Sequence, residues 1–235
     1  MKKSYVNDYS NFIKINYPTF YKQKLSKMSA SEIIFFKNTI NNAYKTLLVI
    51  ELIQINRSTQ NYSLTFLNEI NQLFKRLFHI IPINDQYTFD IFFRAISEAC
   101  LRLIVSNSNQ NSVQETVAQQ LSFKSMKEII IHDSFLFRKR DKFDYLYTLF
   151  STCSKSLHNP SQQMVDISLF DDQFESTVDY KVINSRIVKI NKILLSYIIP
   201  DIFKMHQSEI SLSYSINIKK TMNKTEQLFL KRLPK

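Results

Sequence analysis

Arg94, Glu98 and Arg102 are spaced i, i+4, i+8 and stack along one stripe of a helix. Such an array serves as a surface ion ladder or as a partly buried Arg–Glu–Arg group lining a cleft or a subunit contact. Ile91, Leu101 and Val105 share that sector, which predicts the buried form. A second stripe holds Tyr147, Ser151, Ser154 and His158, at i, i+4, i+7, i+11. It ends in an imidazole at a helix C-terminus, where the helix dipole favours the protonated ring. Lys155 falls on the exposed side of the same helix. Two roles fit this stripe. One is a histidine C-cap with hydroxyls bonded back to their own helix. The other is a general acid or base beside phosphate-binding groups, a set able to cleave RNA without a metal.

The elements that must position these residues are helical. The apolar spacing predicts helices over 31–56, with Ser31 as N-cap, over 63–79, and over 86–105, capped by Asp85. On the third, Phe89, Phe92, Phe93, Ile96, Ala99, Cys100 and Leu103 fill one wide face. The polar run 106–112 reads as a loop. A fourth helix covers 113–121 and continues towards Ile131, and a fifth follows Lys142 and ends near Leu157. Asn159-Pro160 breaks it, and a mixed, acidic stretch leads to Asp179. A long helix then runs from Val182 towards Ser208 with a kink at Pro200. Ile210, Leu212, Tyr214, Ile216 and Ile218 alternate, which predicts a short strand or hairpin over 209–218. A basic amphipathic helix over 225–233 follows. The expected fold is an all-α helical bundle with a long C-terminal helix. Its expected parts are a basic segment 1–29, a helical domain 30–208 and a basic extension 209–235.

Composition narrows the chemistry. The 235 residues include no glycine, where usage of about 7 % would give roughly 16. Phosphate loops, dinucleotide-binding turns and nucleophile elbows need glycine where backbone meets ligand, so they are excluded. A hairpin-rich all-β fold is disfavoured for the same reason. The net charge of +11 sits at the ends. Residues 1–45 hold eight lysines against Asp8 and Glu32, and residues 219–235 hold six basic residues against Glu226. The region between is neutral, with 17 charges of each sign. Basic ends suit phosphate backbones, and they also keep a protein in solution.

No apolar run is long enough for a membrane span, and no h-region follows the N-terminal lysines, so a cytoplasmic protein is expected. Cys100 and Cys153 lie in apolar helical patterns and read as reduced core residues. His132-Asp133, with His79 and Asp201, has the makings of a metal dyad. The apolar run Ile129-Ile130-Ile131 beside it brings no further ligand, so neither metal nor cofactor is expected.

The segment Phe92-Phe93-Arg94-Ala95-Ile96-Ser97-Glu98-Ala99-Cys100-Leu101-Arg102 precedes a polar loop. Later come Tyr147 and Cys153-Ser154-Lys155-Ser156-Leu157-His158-Asn159, and then a long helix. Over about residues 30–205 this resembles the helical HEPN superfamily, especially divergent bacterial members tied to abortive infection and toxin–antitoxin loci. The resemblance implies a compact helical bundle that homodimerises and cleaves RNA without metal where two subunits meet. The family signature is arginine, four to six residues, then histidine. His158 holds the histidine place, while Ser151, Thr152 and Cys153 stand where the arginine would be. Either Arg94, Arg102 or Lys155 supplies that charge, or the chain is a non-catalytic member that binds RNA, nucleotide, or a protein partner such as an antitoxin. On this reading His158, Arg94 and Glu98 are the catalytic candidates. Arg102, Ser154, Lys155 and Asn159 are the RNA-binding ones.

Overall fold

The computed structural model describes residues 5–57, 63–107, 114–158 and 178–235, with only the backbone of His158. Asn159, most of the polar loop at 106–112 and the acidic stretch before Asp179 lie outside them. Every regular element among the described residues is helical. Five helices build the bundle: α3 (Ala30–Arg57), α4 (Thr65–Ile80), α5 (Gln86–Ser106), α9 (Tyr145–His158) and α10 (Tyr180–Ile193). α5 packs between α4 and α9, and α3 between α4 and α10. Contact of α10 with α9 closes the ring.

Local chemistry explains most helix starts. Asp85 opens α5 by accepting from the N–H groups of Tyr87 and Thr88. Asp179 does the same for α10 through Lys181 and Val182. α3 starts one residue before the expected Ser31, because Ser29 and Glu32 form the reciprocal cap. Ser29 Oγ accepts the Glu32 N–H at 3.3 Å, and Glu32 Oε2 accepts the Ser29 N–H at 2.8 Å. The helix expected over 113–121 is α6 (Glu115–Gln120), and what would continue it towards Ile131 is a separate helix, α7 (Phe123–His132). Ser122 separates them by turning extended and capping the Ser125 N–H.

The helix through Pro200 also differs from expectation. α10 passes into a π-helical segment, Leu194–Ile202, that contains the proline and ends well short of Ser208. A proline ring clashes with the carbonyl four residues back and brings no N–H. The wider π spacing relieves both problems. The chain then turns at Lys204, whose φ is 48°. In other proteins glycine commonly holds such a left-handed position; here Lys204 and Asn84 (φ 55°) hold it. Lys204 is exposed. Lys204→Gly is therefore expected to raise stability by about 0.5–1 kcal/mol, or roughly 2 °C in Tm, by relieving the Cβ clash. Thermal melts of the two chains check this.

The strand expected over 209–218 is overturned. Ser211 caps α11 (Leu212–Thr221), and Asn223 with Glu226 boxes the start of α12 (Lys224–Lys231). Both ends of the chain enter the same core, through Tyr9, Ile13 and Phe20 on one side and Ile218, Met222, Leu230 and Leu233 on the other. α1 (Tyr5–Asn16) and α2 (Pro18–Gln23) carry the first set. Two ion pairs fasten the C-terminal helices to α3. Lys45 meets Glu226 at 3.0 Å, and Arg57 is gripped by both oxygens of Glu209. No helix among the described residues is long and apolar enough to cross a membrane.

Candidate functional site

α5 and α9 run antiparallel. Asp90 of α5 lies beside Cys153 of α9, and Arg94 lies beside Phe150. Their shared core face buries Phe89, Phe93, Ile96 and Cys100 against Leu146, Leu149 and Cys153. Burial pushes the Cys100 and Cys153 thiols up to about 12. Both are free thiols, inert as nucleophiles.

The Arg–Glu–Arg stripe sits at the margin of this face, and all three residues are partly buried. Arg102 Nη2 donates to Glu98 Oε1 at 2.8 Å and reaches the Leu121 carbonyl at 3.5 Å. Nearby, burial pushes the Glu69 carboxyl above its ordinary value; Arg102 opposes that shift and Glu98 adds to it. Glu98 is thereby committed to Arg102. Arg94 makes no ion pair among the described residues. Its guanidinium instead lies 5.3 Å from the centroid of the Phe150 ring. Phe150 in turn stacks on Phe123 of α7, at 3.8 Å and 5°. The Nε atoms of Arg94 and Arg102 are both enclosed without a hydrogen-bond partner. The result is a guanidinium on an aromatic platform with no anion of its own among the described residues.

The stripe on α9 divides. Tyr147 is buried, Ser151 and Lys155 are exposed, and the Ser154 hydroxyl is enclosed without a partner. His158 is the last residue of the helix. It stands two turns beyond Phe150, about 12 Å along the axis and farther still from the level of Glu98. The structure thus sets Arg94 over Phe150, pairs Glu98 with Arg102 along the same helix, and places His158 towards the other end of α5. The metal dyad is used otherwise. Asp133 caps α8 (Ser134–Arg138), accepting from the N–H groups of Phe135 and Leu136 at 2.9 Å. No three His, Cys, Asp or Glu side chains among the described residues are grouped to hold a metal ion.

Two groupings were not foreseen. Asp90, nearly fully buried, accepts from Arg186 Nη1 at 2.7 Å, from Gln86 at 3.2 Å and from the Cys153 thiol at 3.7 Å. Ninety-six residues separate Asp90 from Arg186, so spacing carries no signal for the pair. The second is a cleft of about 640 Å³ between the start of α9, the α10–π segment and α12. Four cations line it, against Asp141 as the lining carboxylate. Lys189 and Lys192, at i, i+3 on α10, are its trace in the sequence. No protein-family model, no curated protein and no solved structure matches this chain.

Proposed function

We propose that this chain is a helical RNA-binding protein that engages phosphates along the α5–α9 face. The observation that carries the reading is Arg94, a half-buried arginine held on Phe150 with no carboxylate among the described residues. A guanidinium kept in place and left without an anion is suited to bidentate phosphate contact. The Phe150–Phe123 pair beside it offers apolar surface to an unstacked base. The excess of basic residues at the chain ends adds salt-dependent attraction to the same ligand. A role in phage defence or as a toxin, a homodimeric assembly and an antitoxin partner rest on the HEPN resemblance of 92–102 and 147–159. Metal-independent cleavage through His158 is the catalytic form of this reading. The two-turn gap between His158 and Arg94 favours the form that binds without cleaving.

Fluorescence anisotropy with a short single-stranded RNA tests it. Affinity is expected to fall steeply with salt, and Arg94→Ala is expected to weaken binding about tenfold, the worth of one charge-assisted hydrogen bond. Equal affinity in the variant and the parent overturns the reading. Incubation of the same RNA with a chelator present separates the two forms. A product ladder that vanishes in His158→Ala shows the catalytic one.

A further inference from the structure

The cleft beside α12 lies apart from the Arg94 surface. Tyr145, on its wall, and Phe150, under Arg94, point about 140° apart around α9 at 100° per residue. Its cations differ in what already occupies them. Lys142 donates to Asp201 at 2.9 Å, and Lys139 reaches the same carboxylate at 3.4 Å. Lys189 sits 4.6 Å over the Tyr145 ring. Lys192 and Arg232 have no ion-pair partner among the described residues. They come from different elements, α10 and the end of α12, and face one concavity. Bringing like charges together from separate elements costs stability unless an anion joins them.

The walls carry a second feature. Phe229 of α12 lines the same space, is partly buried, and makes no ring contact among the described residues. A cleft of this volume holds a small molecule of nucleotide size. We infer that it accepts a nucleoside phosphate unit, with phosphates on Lys192 and Arg232 and the base against Phe229. Lys189 and Lys142 then screen the outer phosphate charge. The same unit exists as a free nucleotide and as one residue of a single strand, and both offer this chemistry. The inference does not rest on the Arg94 reading, since it shares no residue with that surface.

Calorimetric titration with ATP, with inorganic tripolyphosphate and with a single-stranded oligouridylate, all without magnesium, tests it. The protein is expected to bind ATP or the oligouridylate saturably. Lys192→Ala combined with Arg232→Ala is expected to weaken that binding at least about tenfold. Phe229→Leu keeps the apolar packing and removes the ring. It is expected to weaken ATP about fivefold and to leave tripolyphosphate unchanged, as loss of one base–aromatic stack does. Loss confined to ATP identifies a free nucleotide as the source, and loss confined to the oligouridylate identifies a strand. Arg94→Ala should leave ATP binding as it was, so failure of the two readings is separable. Two results overturn the inference. One is unchanged affinity in a double variant that keeps its helical circular dichroism. The other is that neither ATP nor the oligouridylate binds more tightly than tripolyphosphate.

Discussion

Glu209→Ala is expected to destabilise the fold by about 3–5 kcal/mol in urea denaturation. Arg57 is only 2 % exposed, and Glu209 holds both of its terminal nitrogens, Nη2 at 2.9 Å. Its Nε donates to the Phe203 carbonyl at 2.9 Å, so the side chain also fastens α3 to the end of the π segment. Removing the carboxylate leaves a buried guanidinium without its counter-charge, which costs more than the pair itself is worth. Replacing both partners by apolar residues of similar volume, Arg57→Met with Glu209→Leu, should recover most of the loss. The same pair sets a pH dependence. The hydrogen bond from Arg57 holds the Glu209 carboxyl below its ordinary value of 4.5. A group with a depressed folded value stabilises fully above the unfolded value, and loses that contribution as pH falls through the depressed one. Stability of the parent should therefore decline below about pH 4.5. The decline should be shallower in the apolar double variant.

Asp90→Ala is expected to have an effect of the same size, about 3–5 kcal/mol. Asp90 sits where α5, α9 and α10 meet and takes three donors: Arg186, Gln86 and the Cys153 thiol. Arg186, whose side chain is 13 % exposed, also lies 5.2 Å from the Phe93 ring centroid and cannot leave for solvent without disturbing that contact. The alanine variant strands a cation between helices. Asp90→Asn keeps an acceptor oxygen and should cost less. Thiol labelling under native conditions reads the effect a second way. Cys153 is buried in the parent and should react only through opening of the fold. Its labelling rate should rise in Asp90→Ala in step with the loss measured by denaturant.

The helical frame was legible because its starts are written locally. Asp85 and the apolar face of α5 each fall within a few turns of sequence, where side chain and backbone meet at fixed spacing. The segment 209–218 shows the limit of that approach. Over ten residues, alternation and helical spacing overlap, because Leu212 and Ile216, or Tyr214 and Ile218, are also i and i+4. The structure resolves the ambiguity by exposing Leu212 (78 %) and Ile216 (43 %) and burying Ile218 (7 %). The Arg94–Glu98–Arg102 stripe was legible for the same local reason, and so was its partial burial. Its aromatic platform was not, since Phe150 meets Arg94 from another helix and Phe123 stacks on Phe150 from a third. The pairs Asp90–Arg186, Arg57–Glu209 and Lys45–Glu226 span 96, 152 and 181 residues, and no spacing rule reaches that far.

Those long spans set a timetable for synthesis. Arg57 and Lys45 are made early, and both end up buried on α3. Their carboxylates, Glu209 and Glu226, are made 152 and 181 residues later. At about 5–20 residues per second, the ribosome needs roughly 10–30 s to bridge the first interval. Until then the inner face of α3 carries Lys45 and Arg57 ahead of the carboxylates that will pair with them, beside apolar surface that the C-terminal helices will cover. These two ion pairs, which fasten the C-terminal segment to α3, therefore close only after residues 209–226 have been made.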